Sequence, residues 1–150
     1  YPLEHGLPNW NGACDCGGVA WVRDGARTAL VFSVVLGTGT AWYGLPNEPP
    51  EGGVVDTVNT AKGYHAPPYR AELWFYALDD LRAIVEGECE SWEAIPYEMT
   101  SIQDRLAAET HVAPGLLWDH EHKVLLIYEP KGWRTTYEPV PAVHLFALQP

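Results

Sequence analysis

Positive charge is scarce in this chain. Nine Lys and Arg stand against twenty Asp and Glu, a formal net charge of −11. That balance excludes nucleic acid and anionic membrane surfaces as principal partners, since both are negative themselves. Long apolar runs are missing too: none approaches the roughly 20 residues that span a bilayer, and no basic, apolar, small-residue leader opens the sequence. Cysteine is limited to Cys14, Cys16 and Cys89, an odd number and too few for a disulfide framework. Cys14 and Cys16 lie one residue apart, where a bridge would be strained. Reduced thiols in the cytoplasm are the simplest expectation, with a bridge from Cys89 to either left open. The sequence starts at Tyr1 without a methionine, which leaves a removed leader and a secreted location open as well. Serine occurs only as Ser33, Ser91 and Ser101, and no Gly-x-Ser-x-Gly nucleophile motif exists.

What remains is rich in apolar and aromatic residues. With 47% apolar side chains over 150 residues, the chain can bury a core of its own and is expected to form a single domain, 1–150. Residues 1–17 carry breakers without periodicity and predict an irregular arm. Asp24-Gly25 then joins two β-branched apolar runs, the signature of a tight hairpin turn whose central residues accept positive φ. The second run, Ala26–Leu36, is apolar at both parities: Leu30, Phe32, Val34 and Leu36 alternate with Ala29, Val31 and Val35. Such a strand is central and covered on both sides. Residues 46–69 hold five prolines and several turn formers, which predicts a long loop with at most one weak strand. Arg70–Ala77 reads as an aromatic strand. Asp79 or Asp80 is placed to cap a short helix that Gly87 closes. Thr100 or Ser101, followed three residues on by Gln103 or Asp104, predicts a second helix running to about residue 110. Leu116–Trp118, a polar turn and Lys123–Glu129 make a second hairpin, and residues 142–148 a last strand. The order predicts an α+β fold: a curved, mainly antiparallel sheet of about six to eight strands with two short helices on one face.

Chemistry could sit in few places. Asp119-His120-Glu121-His122 resembles the Asp-His-Asp-His of the recombination-endonuclease VII family of ββα-metal nucleases, which would imply a metal and a nucleic-acid substrate. The paired cysteines that family needs on either side are missing, and the net charge has the wrong sign, so a solvated hairpin turn is the better reading. Cys14-Asp15-Cys16 lacks the spacing and second pair of a structural zinc site, and Leu36–Thr40 lacks the helix that would follow a phosphate loop. No metal and no cofactor is expected. Trp21, Trp42, Trp74 and Trp118 fall in predicted strands, where core packing is the default.

Two segments stand out for binding. Residues 63–70 place Tyr64, His65, Tyr69 and Arg70 beside a Pro-Pro pair, and Tyr and Arg are the types that anchor interfaces. Residues 72–109 hold ten acids against Arg82 and Arg105, densest at Glu86, Glu88, Glu90 and Glu93. Crowded like charge costs stability and steers partners of opposite sign. The expectation is therefore a small acidic binding module that recognises a basic protein surface, of inhibitor, immunity or anti-defence type. Competing with it are a small enzyme using His65 as acid/base with Tyr64, Tyr69 and Arg70, and a structural subunit of a homo-oligomer.

Overall fold

The computed structural model describes residues 14–39, 68–107, 112–134 and 139–147. Two antiparallel sheets share one core. The first has the order β1-β2-β3-β4, built from β1 (Asp15–Asp24), β2 (Arg27–Gly37), β3 (Tyr69–Tyr76) and β4 (Glu98–Ser101). The second has the order β5-β6-β7, built from β5 (Gly115–Asp119), β6 (Val124–Arg134) and β7 (Pro139–Ala147). One α-helix, α1 (Leu78–Glu86), joins β3 to β4.

The Asp24-Gly25 turn forms as expected. Asp24 pairs with Arg27, and Gly25 takes a φ of 61°, which a Cβ would oppose. β2 lies between β1 and β3 and is sealed on both faces. Ala29, Val31 and Val35 enter the shared core, together with Ala20 and Val22 of β1, Ala71 and Leu73 of β3, and Trp118, Leu125 and Ile127 of the second sheet. Val34 and Leu36 point the other way, packing with Trp74, Phe32 and Tyr76.

Close approach of backbones joins the two sheets along the β1–β5 edge. At Gly17 a Cβ would fall on the Ala113 carbonyl, and at Gly18 it would come within 2.5 Å of the Leu116 nitrogen. Gly17 is also the extra residue where the β1–β2 register shifts between Cys16 and Gly18. The Ser33 hydroxyl donates to the Pro114 carbonyl, and the Ala113 N–H donates to Asp15 at 3.4 Å, fastening the same edge.

Three expectations need correction. There are two sheets, not one, because β5–β7 pair only among themselves. There is one α-helix among the described residues, and it has no buried residue, so it forms no layer over a sheet. In place of the start of a second helix, Glu98–Ser101 pairs with Phe75–Glu72 as β4, and Gln103–Arg105 forms a single 3₁₀ turn. The Gln103 side chain, read from sequence as a helix cap, accepts the Ala71 N–H instead, and the Ile102 N–H donates to the Ala71 carbonyl. Bonds to β3 therefore outcompete the local helical ones. The N-terminal arm is shorter than expected at its C-terminal end, since β1 starts at Asp15, and the residue 46–69 loop yields Tyr69 to β3.

Candidate functional site

Residues 78–98 gather seven of the twenty acids, against one base, into an exposed segment. α1 forms because Leu78, Leu81 and Ile84 recur at helical spacing and turn inward, while Asp79 and Asp80 occupy the first turn, where the helix dipole favours them. The cap is not an acid, as the sequence suggested, but Ala77, which makes no side-chain capping bond. Gly87 ends the helix in the left-handed region at φ 75°, its N–H donating to Ile84 and that of Glu88 to Ala83. No base follows in the last turn. Glu86 sits there instead, against the dipole, with Glu88 just beyond.

The chain then turns back at residues 90–93, where the Glu93 carboxylate accepts the Glu90 N–H at 2.7 Å. This turn draws separated acids together around Cys89. Its thiol pKa is pushed up by loss of solvation first, then by Glu93, Asp80, Glu88 and Glu90. The only base of the segment, Arg82, is engaged by Asp79 at 3.2 Å. The same segment leaves apolar side chains in solvent: Val85 is 86% exposed, Ile95 56% and Tyr97 58%. Tyr97 is fixed by its N–H to the Phe75 carbonyl at 2.9 Å and by ring contact with Phe75. Its phenol pKa is raised, by burial first and by Glu98 second.

Of the second predicted cluster, Tyr69 and Arg70 fall among the described residues. Tyr64 and His65 lie outside the described residues. Tyr69 and Arg70 are neighbours at the start of β3 and so project to opposite faces. Tyr69 packs against the shared core. Arg70 bonds through Nε to Glu72 at 2.6 Å, and Glu72, itself buried, also accepts the Trp74 indole N–H at 2.8 Å. Arg70 is thus committed to neutralising an internal carboxylate. From Arg70 to the start of the acidic region is the length of β3, about 20 Å at the usual strand rise, so Arg70 itself stands apart from those carboxylates.

The Asp119–His122 segment is a hairpin turn between β5 and β6. Asp119 accepts the N–H groups of Glu121 and His122 at 2.9 and 3.0 Å, and the His122 ring nitrogen lies 2.8 Å away. Those contacts hold the Asp119 carboxyl below its ordinary range, the His122 backbone N–H contributing most. His120 instead meets the edge of Trp118. Among the described residues no group of three His, Cys, Asp or Glu side chains is placed to hold a metal, and no disulfide links the cysteines. Trp74 and Trp118 are buried as expected; Trp21 is 53% exposed, and Trp42 lies outside the described residues.

One pair escaped the sequence reading. Glu129 of β6 is fully buried, and its carboxylate accepts the Ala107 N–H at 2.9 Å and meets His144 Nε2 of β7 at 2.8 Å. The pair ties the end of the 102–107 segment to the second sheet. A signal for it existed: Glu129 shares strand parity with Leu125 and Ile127, so its carboxylate had to point inward and needed a partner.

Comparison with protein-family models, with curated proteins and with solved structures found no match. No described helix is long and apolar enough to cross a membrane.

Proposed function

We propose that the protein is a non-catalytic binding module whose acidic 78–98 region receives a basic protein surface. The observation that carries this reading is the turn at residues 87–93, which concentrates Asp80, Glu88, Glu90 and Glu93 about one point. Neither helix geometry nor fold stability accounts for that concentration, since Glu86 and Glu88 oppose the helix dipole and the like charges repel. Val85, Ile95 and Tyr97, exposed along the same segment, supply apolar contact area. Tyr69 and Arg70 take the role of framework rather than of interface centre.

The test is capture from a source extract with the wild-type chain and with a variant in which Glu86, Glu88, Glu90 and Glu93 are all changed to Gln. A partner with a basic surface, retained by the wild type and lost from the variant, supports the reading. Equal capture by both chains, or an enzymatic turnover abolished by His65→Ala, would replace it with one of the competing functions.

A further inference from the structure

Fastened at the β1–β5 edge, the two sheets leave a cleft of 870 Å³ elsewhere in their interface. This is within the range of small-molecule sites, roughly 300–1,000 Å³. Its floor is the inner face of the first sheet, with Val22, Ala29, Leu73 and Phe75, and Phe146 of β7 faces them. The ends differ in charge. At the hairpin end Asp24 and Arg27, paired across the turn, both line the mouth. At the far end are Arg105 and the hydroxyl-bearing Thr100 and Ser101. Glu98, also on the rim, lies two pairs nearer the hairpin than Thr100, opposite Phe75, and accepts the Thr100 hydroxyl at 2.9 Å. Arg27 and Arg105 have no carboxylate partner among the described residues, whereas Arg70 and Arg82 do. Unpaired guanidinium groups beside an apolar trough are unusual in a chain with nine bases.

We infer that this cleft binds an amphipathic carboxylate, its apolar body laid along Ala29, Phe75 and Leu73 and its head held at Arg105. The carboxylate would meet the planar fork of N–H donors of Arg105; the Thr100 hydroxyl is already given to Glu98, and Ser101 projects to the other face of β4. Tyr97 and Glu98 line this cleft as well as belonging to the acidic region, so the two sites adjoin at the start of β4, but carboxylate binding at Arg105 does not depend on the proposed function.

Decanoate, below its micellar concentration, is the direct probe, with decanol and decyltrimethylammonium as neutral and cationic controls. Calorimetric titration should show saturable decanoate binding about ten- to a hundredfold tighter than decanol, the worth of one hydrogen bond to a charged group. Arg105→Gln, an exposed substitution, should remove that preference while leaving decanol binding unchanged. Amide shifts in the wild-type protein should centre on Leu73, Phe75, Thr100, Ser101 and Phe146. Equal affinity for decanoate and decanol would overturn the inference. So would absence of saturable binding, or shifts centred on the exposed outer face of the second sheet at Leu117 and Leu145.

Discussion

Replacing Gly17 with alanine tests how the two sheets are joined. The new Cβ would land on the Ala113 carbonyl and lie within 2.8 Å of the Ala113 Cβ. The obstacle is mainly backbone, which cannot rotate aside as a side-chain tip can. Ala113 is itself held by Asp15, and neighbouring Pro114 by Ser33, so relief requires the β1–β5 edge to part. Overpacking of a fixed core typically costs about 1–3 kcal/mol, and a backbone obstacle puts this case near the top, ~3 kcal/mol. At about 2–4 °C per kcal/mol for a chain of this size, the melting temperature should fall by roughly 6–12 °C. Gly25→Ala is the control: nothing lies within 4 Å of its added Cβ, so its effect is confined to the positive φ of the turn. Differential scanning calorimetry of both variants against wild type gives the comparison. A Gly17→Ala protein melting within about 2 °C of wild type would refute the close approach of β1 and β5.

Other perturbations address single contacts. Glu129→Ala removes a buried carboxylate from both His144 and the Ala107 N–H and should cost about 3–5 kcal/mol in urea unfolding, while Glu129→Gln, which keeps an acceptor, should cost less; equal losses would contradict the pairing. The Cys89 thiol, its pKa raised by loss of solvation first and by its acidic neighbours second, should alkylate slowly at mildly alkaline pH and somewhat faster once Glu88, Glu90 and Glu93 are changed to Gln. An unchanged rate would mean that these carboxylates do not gather around it. Asp119, with its pKa depressed in the fold, contributes stability above the ordinary carboxylate pKa that is lost as pH falls through its folded value. A carboxyl NMR titration should show this depression, and His122→Ala should reverse it only in part, because the larger contribution comes from the His122 backbone N–H.

Strands were legible wherever side-chain pattern alone decides. β2 is apolar at both parities, and it emerged paired on both edges and sealed on both faces. Asp24-Gly25 and the 119–122 turn were readable because their chemistry is local. Residues 100–107 were misread because their capping signals are real but weaker than a ladder to β3, and nothing in a short window reports that ladder. Division into two sheets was hidden for the same reason, since it depends on which strands find each other. The acidic run was plain in the sequence, yet its convergence on Cys89 needed the Gly87 cap and the 90–93 turn. Tyr69 and Arg70 looked like one cluster only until strand alternation sent them to opposite faces.

The role of the acidic region is tested most directly by association kinetics with the captured partner, measured as a function of ionic strength. Steering by exposed carboxylates acts over the roughly 8–10 Å Debye length of physiological salt, so the wild-type on-rate should fall steeply as salt rises. With Glu86, Glu88, Glu90 and Glu93 all changed to Gln, the on-rate should drop and its salt dependence flatten. Thermal stability should stay nearly constant, because exposed charges contribute little to it. An on-rate indifferent to salt and to all four substitutions would contradict the proposed role of this surface.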